Sequence, residues 1–324
     1  MEFSFIICTY NPQERLLRRA LQSCMLQNFA ADQYEVILVD NHSTVPVNQW
    51  PLVQDFQSSK VSLQVVREEQ PGLAFARIKG TRTAKSKVLV FVDDDNELDA
   101  EYLSQLSALC KEHPRVAIWG PGKIQADYVD GAPEWIKKHF GYLFQEKSLS
   151  STKFSCEKAW PSHYPAGSGM VVTKEIMTLY TREFESGLLS ATGRKGNSLS
   201  SGEDSQIIWT AVKHDFFVGT SPSLKLTHII PGNRTTLEYL VKLNYGISYS
   251  YYCSLCEMFP EQQTTLHPRT FKNHLGLIYR IVKNNFMQPG VIFKKFEIEN
   301  AWYKGYDDCL KQLTTTSQNA DIKK

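Results

Sequence analysis

Apolar residues in this chain recur in short continuous runs separated by stretches with helical spacing. Phe3 to Thr9 is one β-favouring run. Behind it, Asn11 suits an N-cap, Pro12 a first helical position, and Glu14 the return half of a capping box. Leu16, Leu17, Ala20, Leu21 and Cys24 then follow a helical period. Further strands are predicted over 34–40, 61–67 and 87–93, with helices over 73–84 and 100–111 and a short strand over 117–119. Near-continuous apolar strands alternating with helices predict an α/β fold, a Rossmann-like, mainly parallel sheet flanked by helices. Ligands of such sheets sit at the carboxyl ends of the strands. Two predicted strands end in carboxylates, Asp40 and Asp93, so both are expected at one crevice.

Periodicity weakens over 125–162, where aromatics are frequent; this reads as a loop-rich acceptor region. A strand over 170–173 is entered through Ala166-Gly167-Ser168-Gly169. A polar loop over 194–202 precedes Glu203-Asp204 and a helix over 205–214. Residues 216–226 resemble a short strand pair around Ser221-Pro222. From Thr235 onward the chain reads as helical and aromatic (Tyr239, Tyr245, Tyr249, Tyr251, Tyr252), with Arg280, Lys283, Lys294 and Lys295 further on. The expected division is an α/β part over 1–232, with an internal boundary after 122, and a helical C-terminal extension over 233–324.

Composition narrows the class. The 324 residues are 42% hydrophobic and 22% charged with a net charge of +2, ordinary values for a globular chain that give no reason to expect a nucleic-acid partner. The N-terminus lacks a basic leader and its apolar run breaks at Thr9-Tyr10-Asn11-Pro12, against a signal peptide. No apolar run reaches the roughly 18–20 residues of a spanning helix. Seven scattered cysteines fit a reducing compartment, so a cytoplasmic location is expected. Cys253 and Cys256 form a lone C-x-x-C without the second ligand pair of a zinc site and read as packed helix residues. The aromatic and basic tail leaves two arrangements open: peripheral contact with the inner face of a membrane near a lipid-linked acceptor, or packing on the catalytic part.

Three features carry chemistry. Val92-Asp93-Asp94-Asp95-Asn96 closes a buried strand with adjacent carboxylates, which repel one another unless a cation compensates. In an extended segment Asp93 and Asp95 would project from one face and could share Mg2+ or Mn2+ and its diphosphate ligand. Glu203-Asp204 at a helix start could supply the base that takes an acceptor's proton, although an acidic N-cap looks the same in sequence. His228 could complete a metal shell or serve as a structural residue.

Residues 3 to about 232 resemble the inverting GT-A glycosyltransferases of family 2. The matching stretches are I-C-T-Y-N at 7–11, V-D-N-H-S-T at 39–44, G-L-A-F-A-R-I-K-G at 72–80, F-V-D-D-D-N at 91–96, A-G-S-G-M-V at 166–171 and S-G-E-D-S at 201–205. The resemblance implies a D-x-D enzyme of polysaccharide or glycoconjugate biosynthesis that moves a sugar from a nucleotide diphosphate, uridine by family habit, to an acceptor hydroxyl. It implies that Thr9 and Tyr10 line the base pocket and that Asp40 accepts a hydrogen bond from the base. Asp93 would hold the ribose side, Asp95 the metal, and Arg77 the diphosphate. Asn11, Asp94 and Ser168 would also bind the nucleotide sugar, and the resemblance implies a catalytic part with nucleotide-sugar binding in 1–122 and acceptor and catalytic elements in 123–232. Asp204 would be the general base with Glu203 beside it, and Gly167 to Gly169 would let backbone approach the sugar. Ser43-Thr44-Val45 lacks the acidic residue that often follows this turn, and no Q-x-x-R-W motif of processive synthases is present. A nucleotidyltransferase would need a Gly-rich loop after the first strand, which Thr9 to Arg19 lacks. A non-catalytic sugar-binding protein would be expected to have lost Asp95 or Asp204.

Overall fold

In a computed structural model, described here over residues 1–194, 199, 201–267, 276, 279, 281, 283 and 289–321, the chain forms a ten-stranded mixed sheet covered by helices. The first part follows the hydrophobic pattern. β1 (Phe3–Thr9), β2 (Tyr34–Asn41), β3 (Ser62–Glu68) and β4 (Val88–Asp93) lie in the order β3-β2-β1-β4 and pair in parallel. Helices α1 (Glu14–Met25), α2 (Pro51–Gln57), α3 (Leu73–Thr83) and α4 (Tyr102–Glu112) connect and cover them. Alternate strand residues enter two different cores, which is why these strands are apolar throughout. Phe5, Ile7, Val36, Leu38, Val90 and Val92 face one cluster with Leu17 and Leu21 of α1. Ile6, Ile37, Val39, Leu89 and Phe91 face the other with Ala76 and Ile78 of α3.

The second half of the sheet is mixed. β9 (Met170–Thr173) inserts antiparallel between β4 and β6 (Val116–Asp127), and β6 pairs in parallel with β10 (Phe217–Ile229). β5 (Asn96–Leu98) runs antiparallel along β10, as do β7 (Lys147–Ser148) on β6 and β8 (Lys153–Ser155) on β10. The predicted strand over 117–119 is thus part of a twelve-residue strand. The predicted strand pair around Ser221-Pro222 is one strand, β10, whose register shifts between Ser221 and Lys225. Pro222 has no N–H to give a ladder, so it sits where pairing is interrupted.

The helix start expected at Asn11 lies elsewhere. Gln13 occupies the N-cap of α1 without a side-chain hydrogen bond. Asn11 has a positive φ of 45°; its N–H donates to Ser43 Oγ at 2.9 Å and its Oδ1 accepts from Thr44 N–H at 2.9 Å. The β1–α1 loop is tied to the turn after β2, and Asn11 is spent on that tie.

α5 (Glu134–His139), α6 (Lys174–Glu185), α7 (Glu203–Lys213), α8 (Leu237–Met258) and α9 (Pro289–Asp321) complete the elements. A third core joins Ile136, Phe140 and Phe144 to Ile230, to Leu240 and Leu243 of α8 and to Ile298 of α9. The tail thus packs on the sheet-bearing part. Cys256 is buried in α8, while the sulfur of Cys253 lies 2.6 Å from that of Cys309 on α9. No helix among the described residues is long and apolar enough to cross a membrane. Within the polar loop over 194–202, residues 195–198 and 200 lie outside the described residues, as does Arg280.

α3 lies against β1 through Gly80, where an added Cβ would come 2.3 Å from Ile6 Cγ2. Gly80→Ala is expected to destabilise the protein by about 1–3 kcal/mol by overpacking. Urea unfolding should show a lower midpoint with an unchanged slope.

Candidate active site

Strand β4 stops at Asp93 and the chain turns through Asp94 and Asp95 before β5 begins at Asn96. The extended geometry that would place Asp93 and Asp95 on one face is therefore replaced by a turn, and the three carboxylates meet different partners. Asp93 Oδ2 accepts from Ser168 Oγ at 3.0 Å, and Oδ1 lies 3.9 Å from Arg77 Nη2. Asp94 accepts from Thr9 Oγ1 at the end of β1. Asp95 is buried; it takes the Nδ2 of Asn96 at 3.0 Å on Oδ1 and an ion pair with Arg234 on Oδ2, and Oδ1 lies 3.7 Å from His228 Nε2. Dispersing the carboxylates among separate partners limits the repulsion that their adjacency implies.

Their protonation follows from these partners. Burial, and then the neighbouring charge of Asp95, pushes Asp94 up to about 7. Burial works against the charged form of Asp95 as well, but the Arg234 guanidinium and His228 overcome it and hold that carboxyl well below the usual range. Arg234 closes the 3-10 turn Gly232–Arg234 just beyond the strand that carries His228, and sequence reasoning passed over it. Its place one turn beyond a candidate metal ligand was the available signal.

Opposite this trio lies a buried Arg77. It sits on α3 with 2% of its surface exposed and its guanidinium over the Phe91 ring at 5.2 Å. Its Nη1 lies 3.2 Å from Glu203 Oε1 at the start of α7, itself buried. Among the described residues Arg77 Nη1 and Glu203 Oε2 have no hydrogen-bond partner. Burial pushes Glu203 up to about 7, with Arg77 opposing and Asp204 adding to the rise. The acidic pair begins α7, whose N-cap position is held by Gly202. Asp204 Oδ1 accepts from Ser205 N–H at 2.8 Å. The backbone of Gly167 runs close by: a Cβ there would lie 2.9 Å from Arg77 Nη2 and 3.3 Å from Asp204 Oδ2. Gly167, Ser168, Arg77, Glu203, Asp204 and Asp93 thus converge from four separate stretches of chain.

The carboxyl end of β2 is more occupied than its sequence suggests. Asp40 is buried; Oδ1 accepts from Ser43 N–H at 2.9 Å, and Oδ2 from Val47 N–H at 3.2 Å and Arg67 Nη1 at 3.1 Å. A carboxylate offers about four lone-pair directions, so one remains on Oδ1. Arg67, at the end of β3, also reaches the Ser43 carbonyl at 3.3 Å; it was not foreseen, although its strand register opposite Asp40 follows from the fold. Tyr10 is half exposed at the same strand ends.

As a metal site the donor set is small. His228 Nδ1 is tied to the Phe144 carbonyl at 2.9 Å, the kind of outer contact that orients a ligating imidazole. His228 Nε2 and Asp95 face one another, while among the described residues no group of three His, Cys, Asp or Glu side chains could hold an ion. Two protein ligands fit a magnesium- or manganese-type ion that takes its other oxygens from phosphate and water, once Arg234 releases Asp95.

Because the Glu203 carboxyl titrates higher in the folded protein than its ordinary 4.5, its contribution to stability is complete below about pH 4.5. It is lost as pH rises to about 7, on the order of 3 kcal/mol. Asp94 acts in the same direction from about pH 4 to 7. Thermal unfolding measured from pH 4.5 to 7.5 should show a falling melting temperature, and Glu203→Gln should make that fall shallower. An equally steep fall in the variant would show that Glu203 is ionised throughout.

Comparison with known proteins identifies the family. The model of "Glycosyl transferase family 2" matches residues 4–177, more than half of the chain. Polypeptide N-acetylgalactosaminyltransferase 11 of Xenopus tropicalis is 34% identical over 118 residues, 36% of this chain and 20% of that protein. Dolichol-phosphate mannosyltransferase of Pyrococcus furiosus is 31% identical over 178 residues, 55% of this chain and 47% of that protein. The chain therefore spans between a fifth and about half the length of these relatives. The crystal structure of GalNAc-T7 with UDP, GalNAc and Mn2+ superposes with a TM-score of 0.51 at 18% identity, covering 97% of this chain and 57% of that one. That likeness is one of fold, and it agrees with the expected GT-A arrangement. The motifs, the fold and the family match lead to one conclusion: the chain belongs to glycosyl transferase family 2.

Proposed function

We propose that this protein is an inverting glycosyltransferase that moves one sugar from a UDP-linked donor to an acceptor hydroxyl in the making of a polysaccharide or glycoconjugate. Residues 1–232 form the catalytic unit in this reading. One observation carries it: a cation, Arg77, and a carboxylate, Asp204, are both set against the Gly167 backbone, where an added Cβ would lie 2.9 and 3.3 Å from them. A donor sugar brought to that backbone would meet a group that attracts its diphosphate and a group that takes the acceptor's proton.

Thr9, Tyr10 and Asn11 border the nucleoside, and the remaining lone pair of Asp40 accepts from the base. Asp93, steadied by Ser168, serves the ribose. The unsatisfied Nη1 of buried Arg77 has a partner to gain in a phosphate oxygen. Asp95 and His228 are the residues that would hold a divalent ion, with Asp93 at the margin of that set. A bound ion would offset the charge that develops on the departing diphosphate. Arg234, freed from Asp95, brings a second cation to the same oxygens.

In the transfer step Asp204 takes the acceptor's hydroxyl proton as that oxygen bonds to the anomeric carbon. The bond from that carbon to the diphosphate oxygen breaks on the opposite face, and its electron pair leaves with the nucleotide. Configuration inverts in this single displacement.

A donor screen with manganese and a panel of nucleotide sugars, following nucleotide release with and without hydroxyl acceptors, tests the reading. Asp204→Asn should keep UDP affinity within about twofold and lower transfer by about 10²–10⁴-fold. Asp95→Ala should abolish the manganese-dependent part of UDP binding. Full transfer by Asp204→Asn would remove that residue as the base.

A further inference from the structure

A second cavity lies away from the crevice. It has a volume of about 320 Å³ and opens between the 3-10 turn Gly141–Phe144 and helices α8 and α9. Tyr142 stands on one side, Asn244 and Ile247 of α8 on another, and Glu299, Trp302 and Tyr303 of α9 on the third. This composition is specific. Aromatic faces accept the apolar C–H face of a sugar ring, and amide and carboxylate groups bind its hydroxyls.

The walls are set in place. Asn244 is buried and its Nδ2 donates to the Ile298 carbonyl at 2.7 Å, which fixes its amide. Trp302 is anchored edge-on by Tyr252 at 6.3 Å between centroids. Tyr142, by contrast, is 56% exposed at the mouth. Ligand clefts run from about 300 to 1,000 Å³, so this cavity suits one or two sugar rings. Its described lining holds a carboxylate and no lysine or arginine, which favours a neutral saccharide over one bearing phosphate or carboxylate.

A short stretch of chain links the cavity to His228. The Phe144 carbonyl holds His228 Nδ1 at 2.9 Å, and Tyr142 is only two residues earlier, within about 7 Å along the chain. We propose that this cavity is a subsite for a neutral sugar residue of the acceptor, with Tyr142 and Trp302 as stacking platforms and Asn244 as the hydroxyl-binding group. It rests on the reading of the chain as a glycosyltransferase. The C-terminal helices then contribute acceptor recognition as well as packing.

The full chain, without donor, is tested by saturation-transfer NMR against a panel of neutral methyl glycosides and disaccharides, with 1,10-decanediol as an apolar control. At least one saccharide should bind, with the strongest transfer at ring C–H protons. Tyr142→Ala and Trp302→Ala should each weaken it by about fivefold or more, Trp302→Phe should restore most of it, and UDP affinity should stay within about twofold in all three. Binding of the diol without any saccharide, or alanine variants that bind saccharide as the parent does, overturns the subsite. Nucleotide-sugar turnover is followed in parallel. Turnover without saccharide binding overturns the subsite alone. Saccharide binding through Trp302 without any turnover supports a sugar site and overturns the transfer reading instead.

Discussion

A single buried guanidinium organises the cluster of charged residues at the strand ends of this protein. Arg77 has 2% of its surface in contact with solvent, and a charge so enclosed is stable only if opposite charge surrounds it. Asp93 at 3.9 Å supplies that charge from β4, and Glu203 at 3.2 Å adds to it from α7 when its carboxyl is ionised. The pairing fixes the approach of α7 to the strand ends, and so it fixes Asp204, the next residue. It also draws the Gly167 backbone against the same group. Removing Arg77 would leave an acidic cluster without its buried cation, so the site and the local packing stand or fall together.

A parallel arrangement governs the surroundings of Asp95. Asp95 is enclosed, and Arg234 with His228 keeps it ionised despite burial. An arginine in that position holds the carboxylate in its charged form. His228 is in turn oriented by the Phe144 carbonyl, so the 3-10 turn over Gly141–Phe144 belongs to the architecture of the crevice. The same turn carries Tyr142 into the aromatic cavity under α8 and α9. The C-terminal helices are thereby joined to His228 through a few residues.

Much of this was legible in one dimension. β1 and β9 lie where the apolar runs end, and β2, β3 and β4 differ by a residue or so at their ends. Continuous apolar runs have few alternatives to burial on both sides. The motif carboxylates Asp93 and Asp204 and the loop at Gly167 do converge, because strand ends of such sheets open on one side. What failed was local geometry. Asn11 has the composition of an N-cap, yet its hydrogen bonds go to Ser43 and Thr44, which a sequence window cannot see. Asp93 and Asp95 look like same-face neighbours only if the strand continues, and it turns instead.

The order of apolar strands and helices, the places where carboxylates fall at their ends, and the family motifs were determined by the sequence alone. Hydrophobic periodicity acts over a few residues and is written directly in the chain. Which cation meets which carboxylate was decided only by the tertiary structure. Arg67 closes on Asp40, Arg77 on Glu203 and Arg234 on Asp95 across 27, 126 and 139 residues of separation. Charge pairing depends on distances of a few ångströms and on burial, and neither exists until the chain has folded.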